Sequence, residues 1–249
     1  MSLQDQVVVV TGASRGIGRA IAELAAADGA RLVLCARSPE PLRETARVLS
    51  KTAEVLAVPA DASREDEVER LRDEALARFG RVDAVVNNAG NAESAPFLKT
   101  ERAFWDRMMA ENATSAFLVS RAFIGAMAER GSGRIVMVAS VSGKRGAPYI
   151  AAYAASKHAM LGLMRSLAAE FGPKGVRVNA VCPGYVDTPM TERSVKNVAS
   201  KTGKSSGEAR KAMEEMNPQK RFIKPEEVAA AVLPLLAAEC SKNGEAIDL

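Results

Sequence analysis

The sequence predicts an α/β fold in one domain spanning residues 1–249, a doubly wound parallel sheet of about seven strands with helices on both faces. Three observations predict it. Short apolar, β-branched runs alternate with longer amphipathic segments along the whole chain. A glycine-rich turn joins the first run to the first segment, and no linker, repeat or low-complexity tract interrupts the rhythm.

The runs fall at residues 7–10, 32–35, 55–58, 82–86, 135–138, 176–181 and, more weakly, 246–249. Unbroken apolar strands of this length suit a sheet buried on both faces. Between them, 16–27, 40–49, 65–79, 104–128, 152–171 and 226–238 read as helices, and a break near Asn112 would divide 104–128 in two. Residues 188–217, rich in Ser, Lys, Met and Gly, are far longer than an ordinary strand-to-helix connection. Insertions at the carboxyl ends of parallel strands are where such folds keep lids, so this segment is expected to cover a substrate.

Composition excludes several classes of function. Lys and Arg total 34 against 30 acidic residues, and the net charge of +4 is not gathered into a basic run, so no nucleic-acid partner is expected. Cys35, Cys182 and Cys240 lie far apart and His158 is the single histidine, which leaves no disulfide framework and no metal site. That usage fits the reducing cytoplasm. No apolar stretch approaches the ~20 residues of a membrane span, and the run at 7–10 is too short for the core of a signal peptide.

Chemistry enters with the turn Thr11-Gly12-Ala13-Ser14-Arg15-Gly16-Ile17-Gly18, which runs from the first strand straight into a helix. Glycines allow a tight turn and let the backbone approach a pyrophosphate, while the helix N-terminus offers free N–H groups and a positive dipole end. A second constellation is Tyr153-Ala154-Ala155-Ser156-Lys157 on a long helix, with Ser140 just beyond the fifth strand. A spacing of four puts phenol and amine on one helix face. An ammonium favours a nearby phenolate, which is expected to bring Tyr153 toward the range of a general acid/base at neutral pH. The Ser140 hydroxyl can hold a carbonyl oxygen beside it. The lone histidine and the lack of a G-x-S-x-G elbow disfavour a serine hydrolase.

Together these residues resemble the short-chain dehydrogenase/reductase family, and further motifs match in order: Asp61 after the third strand, Asn87-Asn88-Ala89-Gly90 after the fourth, and Pro183-Gly184 after the sixth. The resemblance covers essentially the whole chain. It implies a Rossmann-type fold, a nicotinamide cofactor carrying hydride, and a small-molecule carbonyl substrate. It also implies a proton from Tyr153, ribose binding by Lys157, and a water-linked relay held by Asn112. Asp61 would accept from the adenine amine, Asn88 would line the cofactor cleft and Asn87 would brace the fourth strand. Pro183, Gly184, Val186 and Thr188 would close over the nicotinamide.

The second strand ends Leu34-Cys35-Ala36-Arg37, with Ala36 where an acidic residue would bind ribose hydroxyls. Arg37 and Arg15 could instead clamp a 2′-phosphate, and relatives with this pair resemble NADP(H) users rather than NAD(H) users. Overall the chain resembles the 3-oxoacyl reductase branch, which acts on acyl carrier protein or coenzyme A thioesters. Arg193, Lys196, Lys201, Lys204, Arg210 and Lys211 in the lid suit a phosphate, although a solvated amphipathic helix explains them equally, and Arg130 and Lys174 sit where the resemblance to ketoacyl carrier-protein reductases implies a carrier-protein contact. A dehydrogenase of a sugar, polyol, steroid or diketone is the rival enzyme, and a non-catalytic cofactor sensor the rival from another class. Family members form homotetramers through the segments 104–128 and 152–171. The last strand, 245–249, stops where relatives usually continue into a Gly-Gly tail that completes an interface or pocket wall.

Overall fold

The computed structural model describes residues 2–249. Seven parallel strands form one sheet in the order β3-β2-β1-β4-β5-β6-β7. They are β1 Val7–Thr11, β2 Arg31–Ala36, β3 Val55–Pro59, β4 Ala84–Asn87, β5 Gly133–Val138, β6 Val176–Cys182 and β7 Ala246–Asp248. The strand order reverses between β1 and β4, so the crevice at their carboxyl ends is the switch point where open α/β sheets bind ligands.

Alternation along the strands divides the core into two layers. Val7 and Val9 of β1 face a layer with Leu71, Val119, Met160 and Leu161. These come from α3 Glu65–Phe79, α5 Ser115–Glu129 and α6 Ala151–Phe171. Val8 and Val10 face the other layer with Ile21, Leu42, Val232 and Leu236. There the helices are α1 Gly16–Ala27, α2 Pro39–Leu49 and α9 Pro225–Leu236. Burial on both faces explains why the strands read as solid apolar runs.

Two elements differ from the sequence reading. No break divides the segment around Asn112: α4 Arg102–Met108 passes through a π-helical turn, Met109–Thr114, directly into α5. The helix axis continues because the chain widens one turn instead of ending, a local change that periodicity does not report. Segment 188–217 is also helical, with α7 Pro189–Thr202 and α8 Ser206–Glu214 packed around Val195, Ala209, Met213 and Phe222. Among the described residues no helix is long and apolar enough to cross a membrane.

Candidate active site

The turn after β1 is built for close approach. Gly12 adopts φ +66°, and a Cβ there would stand 2.8 Å from Asn88 Nδ2. A Cβ on Gly18 would meet Asn88 Nδ2 and the Gly12 carbonyl oxygen, each at 2.4 Å, so only glycine lets α1 start this close to β1. Arg15 is the exposed, extended N-cap of α1, and Gly16, Ile17 and Gly18 form its first turn with their N–H groups unclaimed by a side-chain cap. Ser14 borders this turn, its carbonyl accepting from Thr45. Such a cradle of backbone donors fits a dinucleotide pyrophosphate.

Thr11 holds the cradle to β4. Its hydroxyl donates to the Val86 carbonyl (3.1 Å) and accepts from the backbone N–H groups of Asn88 and Ala89 (both 3.0 Å). Asn88 returns its amide to the Thr11 carbonyl (2.8 Å). Asn87 is buried and donates to Ser120 on α5 (2.9 Å), on the far side of the strand.

The reaction end lies at the carboxyl edges of β4, β5 and β6. Ser140 is extended and its Oγ accepts from Ser142 N (3.1 Å), which starts the short turn Val141–Gly143. The Val141 N–H donates to the Pro183 carbonyl (3.1 Å), joining this turn to the one after β6. On α6, Tyr153 and Lys157 share one face, with Lys157 Nζ 5.9 Å from the centre of the Tyr153 ring. Lys157 is buried and donates to the Val138 carbonyl (3.0 Å).

Titration at this end departs from the expectation that the amine lowers the phenol. Burial pushes the Tyr153 phenol up, and the Ser140 hydroxyl against it draws it part of the way back. Burial likewise pulls Lys157 down to about 8. The two groups sit in a weakly solvated crevice where desolvation of each charged form exceeds their mutual effect.

Asn112 occupies the π turn, where its buried amide donates to the carbonyls of Asn91 (3.0 Å) and Met108 (3.1 Å) and to Ser156 Oγ (3.1 Å). Its Oδ1 accepts from Asn91 N (3.1 Å). A Cβ at Gly90 would stand 2.5 Å from Asn112 Oδ1 and 3.7 Å from Lys157 Nζ, so the three residues converge. Asn91 and Ser156, which lock Asn112 in place, escaped the sequence reading because no spacing rule connects them to it.

After β6, Pro183 and Gly184 lead to Tyr185, which Asn217 holds by accepting from its N–H (2.9 Å) and donating to its carbonyl (2.8 Å). Val186 is buried and bridges Ile223. Thr188 caps α7, and its Cγ2 lies 3.3 Å from where a Gly16 Cβ would stand, so the start of the lid overhangs the phosphate turn. Arg210 of α8 reaches Asp187 (3.2 Å) just before α7, Glu192 of α7 and Glu214 of its own helix (3.1 Å), with its guanidinium 4.6 Å from the Phe222 ring centre. That arginine is spent within the chain.

At the adenosine end the two arginines part company. Arg15 makes no ion pair among the described residues, whereas Arg37 Nη1 lies 2.7 Å from Glu111 Oε1 and 3.9 Å from Asp61 Oδ2. Asp61 Oδ1 is taken by the N–H and hydroxyl of Ser63, at 2.9 and 2.7 Å. Arg130 donates to the Val82 carbonyl (2.7 Å) at the amino edge of the sheet, and Lys174 lies 4.9 Å from the Phe171 ring centre.

A switch-point crevice with a phosphate cradle at one end and a Ser-Tyr-Lys set at the other defines a dinucleotide-dependent oxidoreductase. The family model for short chain dehydrogenases matches residues 6–199, and the chain belongs to that family. It is an NAD(P)-dependent oxidoreductase. The chain is 39% identical over 244 residues to levodione reductase from Leifsonia aquatica, covering 95% of this chain and 89% of that protein. It is 37% identical over 193 residues to a 3-oxoacyl-[acyl-carrier-protein] reductase from Synechocystis, covering 77% and 78% of the two. A structure of an actinorhodin polyketide ketoreductase variant with NADPH superposes with a TM-score of 0.93 at 34% identity, covering 100% of this chain and 97% of that one.

Proposed function

We propose that this enzyme reduces a ketone to a secondary alcohol with NADPH, and that the ketone is a 3-oxoacyl thioester of acyl carrier protein or coenzyme A. The observation that carries the reading is Ser140 set against a Tyr153 phenol whose pKa is raised, with Lys157 one helical turn further on. A phenol with a raised pKa stays protonated at neutral pH, which is the state a proton donor needs. The nicotinamide, when bound, supplies the hydride to the carbonyl carbon. Negative charge then grows on the carbonyl oxygen; the Ser140 hydroxyl donates to it and the Tyr153 O–H bond breaks to deliver the proton. Lys157 holds the nicotinamide ribose and helps return a proton to Tyr153, and Asn112 keeps the relay in register.

Gly12, Ser14, Arg15, Gly16, Ile17 and Gly18 take the pyrophosphate, Asp61 and Asn88 line the adenosine side, and Arg37 meets the 2′-phosphate. Pro183, Gly184, Val186 and Thr188 cover the nicotinamide. The thioester reading draws support from the carrier-protein reductase among the relatives and from the exposed Arg193, Lys196 and Lys204 of the lid. The similarity to levodione reductase favours a second reading, a diketone. We further infer a cytoplasmic homotetramer. Free Cys35, Cys182 and Cys240 suit a reducing compartment, and Trp105 and Phe117, 37% and 43% exposed on α4 and α5, suit a subunit contact.

The test is a spectrophotometric screen of nicotinamide oxidation with NADPH and with NADH. It offers acetoacetyl-CoA, an acyl carrier protein thioester, diketones, sugars and steroids. Fastest turnover of a 3-oxoacyl thioester with NADPH supports the reading. Turnover confined to sugars, steroids or diketones, or to NADH, contradicts it.

A further inference from the structure

Arg37 follows β2 directly, where this fold brings the adenosine ribose against the sheet. Its guanidinium is already engaged, because Glu111 Oε1 lies 2.7 Å away. Glu111 stands in the π turn between α4 and α5, far along the chain from Arg37. The two partners are unequal: the Arg37 side chain is 57% exposed, and that of Glu111 only 12%. The second carboxylate oxygen, Oε2, is buried with no hydrogen-bond donor. Arg37 is the one cation paired with Glu111 among the described residues. A carboxylate that has lost most of its water and has one charged partner holds that partner more firmly than a surface pair does.

We propose that Glu111 is a specificity-determining residue that competes with the cofactor's 2′-phosphate for Arg37. The proposal rests on the reading of Arg37 as the 2′-phosphate ligand. Asp61 Oδ2 stands further from the guanidinium, at 3.9 Å, so Glu111 is its nearest partner; the phosphate competes with that carboxylate and binds only the fraction released from Glu111. Repulsion between the carboxylate and a dianionic phosphate acts in the same direction. An unphosphorylated adenosine does not need Arg37 released and escapes both penalties. The pair therefore narrows the preference that Arg37 alone would create, and the enzyme's choice between the two nicotinamide cofactors is set by residue 111 as much as by residue 37.

The test uses fragments that carry only the adenosine end. Binding of adenosine 2′,5′-bisphosphate and of 5′-AMP is measured by calorimetry on the full chain, for wild type, Glu111→Gln, Arg37→Ala and the double variant. Glu111→Gln is expected to tighten the bisphosphate by roughly threefold to tenfold and to leave 5′-AMP within about twofold. Glu111→Ala should act in the same direction, and thermal melts check that each variant folds. With Arg37 removed, the substitution at Glu111 should no longer matter. An equal effect on both fragments overturns the proposal, as does no effect or an effect that survives in the Arg37→Ala background. Weaker binding of both fragments would make Glu111 a direct adenosine ligand and would also overturn it. A wild-type chain that binds neither NADPH nor NADH would instead sink the cofactor reading beneath it.

Discussion

The two ends of the crevice are built on different physics. At the reaction end, Ser140, Asn112 and Lys157 are buried and fixed by backbone contacts, and Tyr153 is half-buried with its hydroxyl against Ser140. Desolvation dominates there: it raises Tyr153 and pulls Lys157 down to about 8. At the end where the adenosine is proposed to bind, Arg15 and Arg37 stand exposed at the rim, and Arg37 is paired with Glu111. A buried constellation fixes one chemistry, whereas an ion pair with one exposed partner sets a preference that one substitution can move.

Four variants sharpen this contrast. Beyond the phenol itself, the largest loss is expected from Ser140→Ala. Removing a donor to a developing oxyanion should lower kcat on the order of 10²–10³-fold, with NADPH affinity unchanged in a fluorescence titration. Arg37→Ala comes next, and NADPH should bind about tenfold more weakly while NADH barely changes. Equal losses for both would erase the distinction between the ends. Arg210→Ala, which uncouples α8 from Asp187 and from Glu192 of α7, should raise KM a few-fold and speed proteolysis within α7 and α8 while leaving the chemical step intact.

The smallest effect expected is on stability, and its sign is opposite. Lys157 titrates near 8 in the folded chain and at 10.5 in its unperturbed state, so between those values the unfolded chain holds more protons. Stability therefore rises with pH across that window, and below it the full cost of burying the charge is present, on the order of 3 kcal/mol. Lys157→Met should raise the melting temperature by a few degrees at neutral pH, an advantage that shrinks as pH rises from 8 toward 10.5. A lower melting temperature at neutral pH would show that the contact with Val138 outweighs desolvation.

The same division governs what could be read from the sequence. Strand runs and helix periods were legible because burial on both faces leaves a local pattern, and the Tyr153–Lys157 pair was legible because helix geometry fixes the meaning of a four-residue spacing. The direction of the Tyr153 shift was not, since spacing records the neighbour but not the loss of water. Glu111 was invisible for another reason: its partner Arg37 comes from a different strand end, and the π turn that brings it there leaves no period to follow. Arg210 was counted among free lid cations, yet Asp187 and Glu192 from other segments, with Glu214 one turn along its own helix, consume it.

The central claim, that the Tyr153 hydroxyl delivers the proton, is tested most directly by comparing Tyr153→Phe with wild type under saturating NADPH and ketone. The account predicts a fall in kcat on the order of 10²–10⁴-fold, with the dissociation constant for NADPH held within about threefold, because the ring and its packing remain. A variant that turns over within a few-fold of wild type would contradict it.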